Sequence, residues 1–384
     1  MNKVLLLNKI AKIGTDEFDK AKYEMGSEIE NPDLILVRSA SMHEMEFGEN
    51  LLAIGRAGAG VNNIPVEDCA KKGIAVFNTP GANANGVMEL TLAALFLASR
   101  DIVGGIAWAQ SLTEDAAKAV EKGKSKFAGN EIKGKTLGVI GLGAIGGMVA
   151  NAASLLGLKV IGYDPFVTVD AAWRLNSSIV RASGYDEIFE KSDYVTLHVP
   201  ATKDTKGMIN ASAFAKMKDG VKIINLSRAD LVNSADMIEA VKSGKVSRYV
   251  TDFPTDEVIG VPGIVTIPHL GASTEESEDN CAIMAVHELS DYCENGNIKN
   301  SVNYPAVSAP RNGMNRLCIM HYNVPAVISS VSAAFAENNI NIESLLNGSK
   351  GEFAYMIVDT NSDISDDIVA KVKAINGIIR VRNL

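Results

Sequence analysis

The chain has little cysteine, no long apolar run and no cationic surplus, and each shortage excludes a class of protein. Four cysteines in 384 residues (Cys69, Cys281, Cys293, Cys318) fall without a C-x-x-C pair or metal-ligand spacing, so neither a disulfide scaffold nor a metal site is expected. The first residues lack the charged-then-apolar order of a secretory leader, and the expected setting is reducing and cytoplasmic. The most apolar stretch, 90–99, is ten residues flanked by Glu89 and Arg100-Asp101, about half of the ~20 needed to span a bilayer. It reads as a buried helix, and no membrane partner is expected. A cationic surplus is also missing: 37 Lys and Arg against 46 Asp and Glu give a net charge of −9. General attraction to nucleic acid is excluded, and an anionic substrate has to be held by local cations.

What is present is a length suited to two or three domains of about 100–200 residues. β-rich runs at 4–7, 34–38, 51–56 and 74–78 alternate with helix-compatible segments, the pattern of a parallel sheet with covering helices. A long Ala/Leu-rich helix is expected over 87–110, followed by a charged stretch, 113–135. Six strands follow, at 136–140, 160–163, 194–199, 222–226, 248–252 and 264–267, which fits a doubly wound nucleotide-binding domain. One amphipathic helix is expected over 274–294 and a proline-bearing loop over 300–312. The remainder, from 316, spells strand, helix, two strands, helix, strand, the ferredoxin-like βαββαβ order. The fold class is therefore α/β: two doubly wound domains and a C-terminal ferredoxin-like module.

The turn Gly141-Leu142-Gly143-Ala144-Ile145-Gly146 follows an expected strand and opens a small-residue helix, 144–156. In that context G-x-G-x-x-G presents helix N-terminal N–H groups to a pyrophosphate. The next strand ends at Asp164, placed to accept from adenosine ribose hydroxyls. With no arginine among the residues that follow, it argues for NAD over NADP.

Strand ends also carry candidates for chemistry. Arg228 closes one strand and can grip a carboxylate bidentately. His269 closes another and can exchange a proton with a hydroxyl. Between them, Asp252-Phe253-Pro254-Thr255-Asp256-Glu257 supplies carboxylates that could orient the imidazole.

These segments, with Gly55-Arg56-Ala57-Gly58-Ala59-Gly60-Val61-Asn62-Asn63, Asn78-Thr79-Pro80, His198-Val199-Pro200 and Pro268-His269-Leu270-Gly271-Ala272-Ser273-Thr274, resemble the D-2-hydroxyacid dehydrogenase family over nearly the whole chain. The resemblance implies an Arg-acid-His triad of Arg228, Asp256 or Glu257, and His269. The spacing from Phe253-Pro254 favours Asp256, and counting from Asp252 gives Glu257. Gly141, Gly143, Ala144, Ile145, Gly146, Asp164, His198, Val199, Pro200 and Asp252 would surround NAD. Arg38, Ser39, Arg56, Gly58 and Asn83 would line the substrate pocket. Two arginines there favour a phosphorylated hydroxy acid, 3-phospho-D-glycerate, oxidised to 3-phosphohydroxypyruvate at the entry to serine synthesis. One departure is Ala229-Asp230 after Arg228, where the family has glycines and where the new carboxylate could compete for Arg228 or lie outside the pocket.

The resemblance further implies a substrate-binding domain of 1–85 and 274–305, an NAD domain of 86–273, a linker of 306–314 and an ACT-like regulatory domain of 315–384. In a serine-sensing ACT domain, His321, Asn323 and Asn341 match effector positions, whereas Ala326 stands where the motif has glycine. L-serine is the implied effector, and a homodimer or homotetramer the implied assembly. Two other readings stand beside this one: a different 2-hydroxyacid dehydrogenase or 2-ketoacid reductase, and a non-catalytic NAD-sensing protein.

Overall fold

The computed structural model describes residues 1–311 and 315–384, which form two compact units: Met1–Asn83 with Glu275–Leu384, and Ala84–Thr274. The first unit starts from a five-stranded parallel sheet ordered Tyr23–Gly26, Asn2–Leu7, Leu34–Val37, Ala53–Arg56, Ala75–Phe77. Its central strand Leu34–Val37 is apolar throughout and fully buried, as a strand covered on both faces must be. Tyr23–Gly26 was not expected. It is a short edge strand with no alternation to reveal it. Helix Glu275–Asn295 returns to cover this sheet, and it comes so close that a Cβ on Gly55 would lie 2.9 Å from Leu289.

In the same unit, the C-terminal segment forms a four-stranded antiparallel sheet ordered Ile342–Lys350, Phe353–Thr360, Asn315–Tyr322, Ile378–Asn383. With helices Val327–Ala336 and Asp366–Lys373 it completes the βαββαβ order. Alternate residues of its strands serve two cores. Leu317, Ile319, Met356 and Val358 pack under the helices. Cys318, Met320, Tyr355 and Ile357 share one core with Phe77, Tyr292, Ile298 and Tyr304 of the first layer. The two inner strands, Asn315–Tyr322 and Phe353–Thr360, are thus buried on both faces, while the edge strand Ile342–Lys350 is not.

The stretch expected as a linker, 306–314, is held where it is described; residues 312–314 lie outside the described residues. Val307 and Ile298 exchange backbone hydrogen bonds at 2.9 Å. The Arg316 guanidinium, fully buried and ion-paired with Asp359 (2.6 and 2.8 Å), donates to the carbonyls of Asn295, Ala309 and Pro310.

The second unit is built on a seven-stranded parallel sheet ordered Ile264–Thr266, Val246–Thr251, Val221–Asn225, Tyr194–Leu197, Thr136–Ile140, Lys159–Tyr163, Val180–Arg181. The six expected strands take the nucleotide-binding order with the switch point beside Thr136–Ile140. The seventh, Val180–Arg181, is two exposed residues, too short for a period to be read. The helix expected over 87–110 is instead two, Ala84–Ser99 and Ile102–Gln110, meeting at 74°. Asp101 caps the second by accepting from Gly104 N, and the Ser99 carbonyl turns away to accept from Asn130 N (3.0 Å).

Candidate active site

The glycine-rich turn of the second unit is shaped by three different demands. Gly141 has φ +90°, and a Cβ there would meet the His198 carbonyl oxygen at 2.5 Å. A Cβ on Gly146 would meet the Gly141 carbonyl oxygen at 1.9 Å. Gly143 differs: nothing lies within 4 Å of its would-be Cβ, and no side chain caps helix Ala144–Leu155, which it precedes. Two glycines let backbone elements touch, and the third leaves open space at the start of the helix, where Ala144 and Ile145 form the first turn.

Asp164 accepts from Leu142 N and Phe166 N, both at 2.8 Å, so it pins this turn besides being available to ribose hydroxyls. Next to the turn, His198 shares Nε2 with Thr196 Oγ1 at 2.9 Å, while its buried Nδ1 has no partner. Burial pushes its pKa down to about 4, so the ring is neutral at pH 7. Val199 packs on Gly141, and the Pro200 carbonyl accepts from Thr205 Oγ1. The open cradle at Gly143 and the unpartnered Nδ1 of His198 fit a dinucleotide.

On the same carboxyl edge of the sheet, Asn225 is buried at the end of its strand, and its Nδ2 donates to the Arg228 carbonyl (2.8 Å). This holds the exposed turn from which Arg228 projects, its Nη1 on the Ser227 carbonyl at 2.6 Å. The Asp230 carboxylate does not compete for Arg228: it pairs with Lys206 at 3.5 Å.

Phe253 touches both candidate side chains, Arg228 and His269. The Arg228 guanidinium lies over its ring at 5.6 Å, and the His269 ring packs against it with centroids 4.4 Å apart. Stacking suits a delocalised guanidinium and leaves the N–H donors not taken by the Ser227 carbonyl available to a ligand. The sequence reading treated Phe253 only as a register mark for finding the acid.

Asp252, fully buried, accepts from Gly271 N at 3.2 Å through Oδ2 and so ties its strand to the loop that carries His269. Its Oδ1 is buried without a partner, and burial raises its pKa. The two acids expected to orient His269 are exposed, and among the described residues neither is hydrogen-bonded to it. Glu257 accepts from Thr255 Oγ1 (2.9 Å), which leaves Asp256 the less engaged.

In the first unit, Arg38 and Arg56 come together at the ends of neighbouring strands, with Arg56 Nε donating to the Arg38 carbonyl (3.0 Å). Gly58, at φ +143°, makes room for this: a Cβ there would fall 1.6 Å from Arg56 Nη1. Ser39 N donates to Asn8 Oδ1 (3.1 Å), and Asn83 closes the loop before helix Ala84–Ser99. Arg38 is ion-paired with Glu278 of helix Glu275–Asn295, a partner the sequence reading missed.

In the C-terminal module, His321 is buried with Nε2 on Asn347 Oδ1 and Nδ1 on the Tyr322 carbonyl. Asn323 donates to the Gly351 carbonyl and Asn341 to Glu343. His321 pairs across from Ala354, whereas Ile342, next to Asn341, pairs with Thr360. At 3.3 Å per residue, about 20 Å separates Asn341 from His321 along the sheet. Ala326 has φ 70°, the left-handed region that glycine would enter without strain.

Comparisons with known proteins identify the family. Residues 92–271 match the family described as D-isomer specific 2-hydroxyacid dehydrogenase, NAD binding domain, and residues 317–380 match an AHAS small subunit-like ACT domain. The chain belongs to the D-isomer specific 2-hydroxyacid dehydrogenase family. Within that family its relatives are D-3-phosphoglycerate dehydrogenases. One, D-3-phosphoglycerate dehydrogenase 1 of Saccharomyces cerevisiae, is 32% identical over 100% of this chain and 87% of its own length. That of Archaeoglobus fulgidus is 34% identical over 75% of this chain and 54% of its own. Among solved structures, the NAD⁺-bound 3-phosphoglycerate dehydrogenase of Entamoeba histolytica superposes with a TM-score of 0.62 at 29% identity. It covers 79% of this chain and 98% of that one.

Proposed function

We propose that this chain oxidises 3-phospho-D-glycerate to 3-phosphohydroxypyruvate with NAD, the reaction that opens serine synthesis. The observation that carries the proposal is the Arg228–Phe253–His269 stack on the sheet edge that also bears the glycine-rich turn. When bound, NAD supplies the hydride-accepting nicotinamide. Gly141, Gly143, Ala144, Ile145 and Gly146 would hold its pyrophosphate and Asp164 its ribose, with His198, Val199, Pro200 and Asp252 around it. Arg228 grips the substrate carboxylate, and His269 accepts the C2 hydroxyl proton, oriented by Asp256, with Glu257 as the alternative acid. Arg38, Ser39, Arg56, Gly58 and Asn83 are assigned to the phosphate end of the substrate.

The test is NAD reduction with 3-phospho-D-glycerate against D-lactate and D-glycerate, with an NADP control. No reduction with any of them overturns the enzyme reading. Equal rates with D-lactate overturn the phosphate assignment.

L-serine is the proposed effector of the C-terminal module. Because Asn341 and His321 lie about 20 Å apart in one chain, a serine site using both draws on two copies. Millimolar serine is expected to lower the initial rate of the dimer; unchanged rate and thermal midpoint overturn this. Pairing of the nucleotide units is supported by helix Ile102–Gln110, none of whose residues is buried and which exposes Ile102, Val103 and Ile106. A homodimer or homotetramer is therefore proposed. The four buried free thiols support a cytoplasmic, reducing location.

A further inference from the structure

The joint between the C-terminal sheet and the first α/β layer carries two arginines that, among the described residues, are in no ion pair with a carboxylate. Strand Ile378–Asn383 presents Arg380 and Arg382, two residues apart and so on one face. Arg380 donates to the carbonyls of Leu51 (2.5 Å) and Glu49 (2.8 Å). Arg382 donates to the carbonyls of Tyr292 (3.1 Å) and Cys293 (2.8 Å), in the last turn of helix Glu275–Asn295, and lies over the Tyr292 ring at 4.6 Å.

A guanidinium has five N–H donors, and these carbonyls take two on each side. Among the described residues no Asp or Glu is ion-paired with either arginine; Glu49, the acid that acts on Arg380, does so only at a distance. Burial, with Arg382 beside it, holds Arg380 below the usual guanidinium range. Two half-buried like charges with spare donors are costly alone and are relieved by an anion between them.

Both arginines line an open cleft of ≈ 440 Å³, whose walls also include the exposed Lys373, Asn50 and Glu49 and the half-buried Leu52 and Ile379; with one carboxylate against three cations the lining is net positive. The rest of the chain is acidic, so retention of an anion here is a property of this cluster and not of the overall field. We infer that the cleft is a binding site for a small oxyanion, the carboxylate or phosphate group of a metabolite. Arg380 and Arg382 hold it, Lys373 stands at the rim, and Leu52 and Ile379 receive a short apolar body. A ligand there touches both the C-terminal strand and the loop leading into strand Ala53–Arg56, so occupancy fastens the two layers together.

The probes are inorganic phosphate and succinate, titrated to 50 mM against chloride at matched ionic strength, with thermal midpoint as readout. All chains carry Arg38→Ala and Arg56→Ala, which remove both cations of the phosphate site proposed for the substrate. Either anion is expected to raise the midpoint by about 2 °C. Lys373→Glu, a change at an exposed side chain, and Arg380→Gln should each remove at least half of that shift. Phosphate alone or succinate alone identifies the head group. No shift with either anion, or a shift that Lys373→Glu retains in full, overturns the site, whether or not Arg380→Gln folds.

Discussion

Glu278 Oε1 lies 2.5 Å from Arg38 Nη2, so an arginine assigned to an anionic substrate already holds an anion from its own chain. Ligand phosphate has to displace that carboxylate. Both side chains are about 40% exposed, and such pairs are worth about 0.2–1 kcal/mol. Glu278→Gln should therefore lower KM for 3-phospho-D-glycerate about 2- to 5-fold with kcat nearly unchanged. Steady-state kinetics decide it, and a higher KM would show that Glu278 positions Arg38 instead of competing for it.

His269→Ala should reduce kcat by roughly 10² to 10⁴, the usual worth of a positioned acid–base group. NAD affinity, measured by fluorescence titration, should stay within twofold because His269 is not part of the glycine-rich turn. Near-normal turnover removes His269 from the chemistry.

Asp256→Asn and Glu257→Gln separate the candidate acids. With Glu257 already engaged by Thr255, Asp256→Asn should lower kcat about 10-fold or more and distort the pH profile of kcat/KM. Glu257→Gln should change kcat less than about twofold. The reverse order moves the role to Glu257.

Glu288 lies buried in helix Glu275–Asn295 with Oε1 on Asn300 Nδ2 and Oε2 unpartnered; burial raises its pKa to about 7, against the nearby Lys299 charge. The folded chain then holds a proton that the unfolded chain, titrating near 4.5, has released. Stability from this group is present below pH 4.5 and is lost as pH rises towards 7, by about 1–3 kcal/mol. Glu288→Gln should raise the thermal midpoint at pH 8 and leave it unchanged at pH 4.5. Equal shifts at both pH values would contradict the titration.

Ala326 occupies the left-handed region at the start of helix Val327–Ala336. Ala326→Gly relieves that strain while loosening the unfolded chain, so a net gain of up to about 1 kcal/mol is expected. Chemical denaturation measures it, and a loss would mean that the methyl group packs usefully.

The groups most legible in the sequence were those whose chemistry demands a fixed local pattern. The turn at Gly141–Gly146, Arg228 and His269 each follow an apolar strand, and strand ends are where an open sheet binds ligands. What stayed hidden depends on contacts distant in sequence. Phe253 gains its place only because Arg228 and His269 arrive from two other strands. The competition expected between Asp230 and Arg228 disappears because Lys206 reaches Asp230 first. The bend at Asp101 was masked by an apolar pattern that continues through it, although aspartate before a glycine-containing turn was a readable cap. Ala326 was conspicuous as a departure from glycine, and its backbone took the conformation that glycine would have had.

The inner strands of the C-terminal sheet, buried on both faces, also constrain how this lineage can change. A gene shortened after residue 311 would expose the core around Tyr292 and Tyr304 to solvent, so losing the module costs apolar burial in the first α/β layer as well as in the module itself. Loss of the module in one step therefore calls for compensating changes in the layer it covers, whereas single substitutions within the module do not.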